Sequence, residues 1–161
     1  MNMLKIYLDT SVISHLDAKD TPEKMADTLR LWELLEERYY SVVLSDIVFD
    51  ELEACEENKR KLLLGYMKKV HYEMVSAGSD VRTLARKFIS FEIPKEQSFD
   101  DCRHIAAALV AGCDVIASWN FRHIVNVKTI RGAKIIAALE GFKDIIVCTP
   151  TLLIEGGIDN V

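Results

Sequence analysis

Four polar residues, Asp9, Glu51, Asp101 and Asn120, stand where side chains could do chemistry in this chain of 161 residues. Asp9 directly follows an apolar run, in Tyr7-Leu8-Asp9-Thr10-Ser11. The spacing predicts a helix start there, and Thr10 and Ser11 can donate hydrogen bonds to its carboxylate or to a phosphate. Glu51 shares a helical face with Ile47, Val48, Leu52 and Cys55. A carboxylate in such a stripe must be paired, protonated or bound to metal, or else sit at the stripe's edge and reach water. Burial and neighbouring acids should raise its pKa. Asp101 opens an inward helical face that continues through His104, Ile105, Ala108 and Leu109. It also fits a capping box beginning at Ser98. Asn120 follows another apolar run. Acids converging from distant segments repel one another, and such a cluster persists when a hard cation with oxygen ligands, magnesium or manganese, sits among them.

The elements that must position these residues are legible as alternation. Short runs rich in branched apolar residues occur at 4–8, 41–44, 115–117 and 145–148, each separated from the next by helical sequence. That pattern predicts a parallel sheet covered on both sides, a three-layer α/β/α sandwich in one domain spanning 1–161. Thr21-Pro22-Glu23 predicts a capped helix to about residue 38, and Ser45 caps the next. Gly65 and the Lys68-Lys69 pair predict a break in the middle third. Helices follow over 79–90, with Pro94 ending that segment, over 98–112 and over 128–139. In an open parallel sheet function gathers at the carboxyl ends of the strands, where Asp9, Glu51 and Asn120 fall.

The net charge of −5 argues against a broadly positive nucleic-acid surface but leaves room for an acidic site neutralised by cations. Four cysteines, Cys55, Cys102, Cys113 and Cys148, lack ligand spacing and read as reduced thiols. No apolar stretch is long enough to span a membrane, and no signal peptide is legible because Asp9 interrupts the first apolar run. A cytoplasmic protein is expected.

Taken together the motifs resemble those of the PIN-domain ribonucleases, which include VapC-type toxins of toxin–antitoxin modules. YLDTSVIS at 7–14, SDIVFDEL at 45–52, FDDCRHIAAAL at 99–109 and SWNFRHIVN at 118–126 stand in the family's order. The family's acids fall on Asp9, Glu51 and Asp101, and Asn120 stands where many relatives have aspartate. The resemblance implies a magnesium- or manganese-dependent phosphodiesterase acting on RNA. Asp9 and Asp101 would be the principal ligands, Glu51 would bind metal or orient water, and Asn120 could coordinate through its amide oxygen. It also implies a homodimer formed through helices of the first half, with a small antitoxin as partner.

Past Asn120 the chain is basic. Arg122, Lys128 and Arg131 could meet RNA phosphates beside the site, as Thr10 and Ser11 could within it. His104 and His123 read as structural hydrogen-bonders, and Trp119 as a packing residue. Two rivals remain. A haloacid-dehalogenase-type phosphatase needs a second aspartate where Ser11 stands. A catalytically silent PIN-like domain that binds RNA or protein is favoured by Asn120 and opposed by the three acids.

Overall fold

The computed structural model describes residues 3–91 and 99–155. Its five strands pair in the order β3-β2-β1-β4-β5, every pair parallel. They are β1 (Lys5–Leu8), β2 (Ser41–Ser45), β3 (Tyr72–Val75), β4 (Val115–Ala117) and β5 (Ile146–Cys148). Among the described residues eight α-helices accompany them: α1 (Thr10–Ser14), α2 (Pro22–Glu36), α3 (Asp46–Leu52), α4 (Glu57–Met67), α5 (Ser79–Ser90), α6 (Phe99–Val110), α7 (Val127–Glu140) and α8 (Pro150–Ile154), with a short 3-10 turn at His15–Asp17.

Alternation along the strands builds two cores. Ile6 and Leu8, with Val42, Leu44, Val115 and Ala117, face one way and meet Val12, Leu31, Trp32, Leu35, Leu52 and Leu63. Tyr7, Val43 and Ile116 face the other way and meet Ile47, Leu84, Phe88, Ile105 and Ile136. Successive side chains in a strand point to opposite faces, so a strand buried on both must be apolar throughout. This is the α/β/α sandwich that the alternation predicts. The run Ala106-Ala107-Ala108, fully buried, lets α6 lie close against the sheet.

Departures from the sequence reading have local causes. The edge strand β3 gives no apolar run because Glu73 and Met74 are exposed, and Glu73 pairs with Lys5 at 3.4 Å. An edge strand need not be buried on both faces, so β3 can carry a charge at Glu73, whereas β5 at the other edge stays apolar through Ile146-Val147-Cys148 and keeps the signal. Gly65 does not break α4, which runs on to Met67 and ends at the lysine pair. There the Trp32 indole N–H donates to the Tyr66 carbonyl at 2.9 Å, satisfying one of the last carbonyls of the helix. Thr21 and Ser45 stand at the N-cap positions of α2 and α3, but neither side chain caps. Thr21 turns back to the Ala18 carbonyl, and Ser45 is drawn to the Tyr7 hydroxyl at 2.7 Å. Helix α7 ends on Gly141 at φ +79, the left-handed conformation glycine adopts without steric cost. Pro94 and Ser98 lie outside the described residues.

The strand order reverses at β1. The chain passes from β1 outward to β2 and β3, then returns to the other side for β4 and β5. A crevice therefore opens between the carboxyl ends of β1 and β4.

Candidate active site

Asp9 is the first residue past β1 and the N-cap of α1, where its Oδ1 accepts the Val12 N–H at 3.2 Å. It is 3% exposed, and two serines hold its carboxylate from opposite sides. Ser11 donates to Oδ1 and Ser118 to Oδ2, each at 2.6 Å. Each serine oxygen then accepts a backbone N–H from the loop after β4, Ser11 from Trp119 at 2.8 Å and Ser118 from Asn120 at 2.9 Å. Burial pushes the Asp9 carboxyl above its ordinary range, although the His104 charge and the two serines pull the other way. Ser118 is fully buried, and sequence reasoning missed it. Ser118→Ala would leave the Asn120 N–H and one Asp9 oxygen without partners, and should cost about 1–3 kcal/mol in denaturant melts. An unchanged melt would contradict this arrangement.

Glu51 lies near the end of α3, with its side chain 35% exposed, so it occupies the edge of its apolar stripe. It does so paired: Oε1 accepts from His104 Nε2 at 2.5 Å and from the Thr10 hydroxyl at 3.0 Å. Burial alone would raise the Glu51 pKa, but the His104 hydrogen bond and charge, with Thr10, outweigh it and hold the carboxyl below its ordinary range. The expectation of a raised pKa is therefore corrected. The apolar stripe and the other acids argue for a raised value, and the deciding group is the histidine brought in by α6.

Asp101 sits in the first turn of α6 and its Oδ1 accepts from Asn120 Nδ2 at 3.2 Å. The Asn120 side-chain oxygen accepts the His123 N–H at 2.9 Å, closing the turn after β4. The carboxamide thus presents its nitrogen, not its oxygen, to the acid. Asp100, by contrast, is exposed and pairs with Arg103 at 2.9 Å.

Asp9, Glu51, Asp101 and Asn120 line one open pocket of about 250 Å³, together with Thr10, Ser11, Ser14 and His104. A hollow of about 360 Å³ by Arg38, Tyr40 and His71, beside the amino ends of β2 and β3, is larger but has no converging carboxylates. The Ser11 and Thr10 hydrogens that could meet a phosphate go instead to Asp9 and Glu51. Arg122, Lys128 and Arg131 are exposed and do not line the pocket. Lys134 pairs with Asp144 at 2.8 Å. Trp119 packs: it is 7% exposed and its indole N–H donates to Thr28 at 2.9 Å.

The donor set suits a hard cation in kind, since the pocket offers carboxylate and hydroxyl oxygens and no thiolate. Among the described residues, however, no three His, Cys, Asp or Glu side chains stand together as a group that could hold a metal ion. Magnesium needs no such cage, because it keeps several waters and takes one or two carboxylates beside a substrate phosphate. Asp9 and Asp101 both line the pocket.

No protein-family profile matches the chain, and no curated protein matches it in sequence. Solved structures do match. Mycobacterium tuberculosis VapC20, a sarcin–ricin-loop-cleaving toxin, has a TM-score of 0.59 at 16% identity, over 87% of this chain and 98% of that one. VapBC2 from Rickettsia felis, solved bound to a DNA fragment from its promoter, has a TM-score of 0.55 at 12% identity, over 89% of this chain and 97% of that one. The architecture is thus an α/β fold with a five-stranded parallel sheet and a pocket at its switch point. More particularly, it is the PIN-domain fold of VapC-type toxins. No described helix is long and apolar enough to cross a membrane.

Proposed function

We propose that the protein is a magnesium- or manganese-dependent ribonuclease that hydrolyses RNA phosphodiester bonds. The observation that carries this reading is the convergence of Asp9, Glu51 and Asp101 on one pocket at the switch point of the sheet. Asp9 and Asp101 would hold the cation, whose role when bound is to polarise the phosphate and lower the pKa of an attacking water. Ser11, Ser118 and the Val12 N–H keep the Asp9 carboxylate in one orientation. Glu51, held below its ordinary pKa, is ionised at neutral pH and can accept a proton or a hydrogen bond from water. In-line attack on phosphorus breaks the bond to the ribose 3′-oxygen, which takes a proton and leaves as a hydroxyl. Asn120 adds an N–H toward Asp101 and no charge.

Arg122, Lys128 and Arg131 would steer the RNA backbone from outside the pocket. A double reversal, Lys128→Glu with Arg131→Glu, should weaken single-stranded RNA binding and reduce the salt dependence of log K by about 1.4, at about 0.7 for each phosphate no longer neutralised. An unchanged salt slope would remove both residues from the interface. The likeness to the toxin VapC20 supports a toxin role, and a small antitoxin partner and a cytoplasmic location belong to the same reading. A homodimer through helices of the first half belongs to the same reading, and light scattering that finds only monomer would contradict it. The second reading, a silent PIN-like binding domain, is favoured by the Asn120 nitrogen facing Asp101. Manganese binding without RNA cleavage would decide for it.

A further inference from the structure

Behind Glu51 a line of buried polar side chains runs into the core. Ser45 Oγ lies 2.7 Å from the Tyr7 hydroxyl, which lies 2.6 Å from His104 Nδ1. His104 Nε2 then reaches Glu51 Oε1 at 2.5 Å. Ser45 and Tyr7 are fully buried and His104 is 2% exposed. The four residues come from β2, β1, α6 and α3, so one carboxylate oxygen is tied to four elements at once.

The pattern of donors fixes the pairing. An ionised carboxylate only accepts, so His104 Nε2 carries the hydrogen it shares with Glu51. Thr10 donates to the same Oε1, and among the described residues no hydrogen bond ends on Oε2. A phenylalanine at position 7 would fill the same space in the core, and what tyrosine adds is the hydroxyl that engages His104 and Ser45. Swinging Glu51 toward a cation would strand a buried histidine N–H.

We propose that Tyr7 and His104 are positioning residues: they fix Oε1 of Glu51 at the pocket wall, so that Glu51 works through Oε2 as the acceptor of the attacking water and is not a metal ligand. The role in catalysis rests on the ribonuclease reading. The pairings in the pocket agree with it, because Glu51 is held by His104 and Thr10, whereas Asp101 faces Asn120 and Asp9 faces the two serines.

The test combines a metal-free measurement with kinetics. In wild-type protein without metal, nitrogen-15 NMR should show a protected His104 Nε2–H that shifts in Glu51→Gln, and an Nδ1 resonance that shifts in Tyr7→Phe. Under single-turnover conditions Tyr7→Phe should slow RNA cleavage about tenfold, a fraction of the roughly hundredfold or more that a positioned proton acceptor contributes. RNA affinity and the half-saturating manganese concentration should stay unchanged. In a Glu51→Gln background, Tyr7→Phe should slow the residual rate no further. An equal slowing in both backgrounds would overturn the proposal, as would an effect confined to manganese affinity or the absence of the Nε2–H signal. Should Tyr7→Phe fold poorly, His104→Gln and the wild-type spectrum carry the same decision. Wild-type protein that cleaves no RNA with any divalent ion would overturn the ribonuclease reading and the catalytic role with it, leaving the spectrum to report on the anchor alone.

Discussion

Asp9→Asn is expected to lower manganese-stimulated RNA cleavage by at least about a hundredfold, the scale seen when one group that stabilises developing charge is removed. Asp101→Asn should do the same. The fold should survive, because asparagine keeps the shape of the side chain: its oxygen can still accept from Ser11 and Val12, and the Ser118 hydroxyl can rotate to accept from its amide nitrogen. Without metal, Asp9→Asn should be more stable than wild type at neutral pH. Burial raises the folded-state pKa of Asp9 above its ordinary value of 3.8. A carboxyl with a raised folded pKa binds its proton more tightly in the folded protein. Its contribution to stability is present below the unfolded pKa and is lost as pH climbs toward the folded one. Asparagine never ionises, so the gap in melting temperature between variant and wild type should open as pH rises from about 4. Melts with chelator present across that range measure it. A variant that cleaves RNA at the wild-type rate would remove Asp9 from the site.

The second large effect is expected at Asn120. Asn120→Asp replaces the amide that donates to Asp101 Oδ1 at 3.2 Å with a carboxylate facing a carboxylate. Two unit charges about 4 Å apart repel by roughly 4 kcal/mol at an effective dielectric of 20, before protonation or rotation relieves part of it. The metal-free variant should therefore lose about 1–3 kcal/mol, or roughly 2–4 °C of melting temperature for each kcal/mol at this size. A cation reverses the sign, because the added acid becomes a ligand. The manganese concentration for half-maximal cleavage should fall about tenfold, the equivalent of about 1.4 kcal/mol. Saturating manganese should also close the stability gap. An unchanged half-maximal concentration together with unchanged metal-free stability would mean that position 120 does not face Asp101 in solution.

How much of this was legible beforehand depended on whether a residue's surroundings lay close in sequence. The three inner strands were legible because burial on both faces demands unbroken apolar runs, as in Val42-Val43-Leu44, and the edge strand β5 was legible because it too is apolar throughout. Strand β3 was not, since an edge strand can carry Glu73. Asp9, Glu51, Asp101 and Asn120 were picked out by type and position, and the fold brings all four to one pocket. Their hydrogen-bond partners were out of reach. Ser118 is 109 residues from Asp9, and Tyr7 is 97 from His104. Each pairing depends on which strands are neighbours and which helix covers them. The Glu51 pKa went astray for that reason: its own helix argues for a raised value, and the deciding group arrives on α6. Caps failed similarly, as with Ser45, whose hydroxyl is claimed by Tyr7 across the sheet.

Hydrolysis of RNA in this pocket, with a divalent cation and an attacking water, can be tested on the products themselves. The most direct measurement incubates purified wild-type protein with end-labelled RNA, with manganese and with chelator, and identifies the product ends. Cleavage is expected only with manganese, leaving 5′-phosphate and 3′-hydroxyl termini. Cleavage in chelator, 2′,3′-cyclic phosphate ends that mark attack by the ribose itself, or no cleavage in either condition would contradict it.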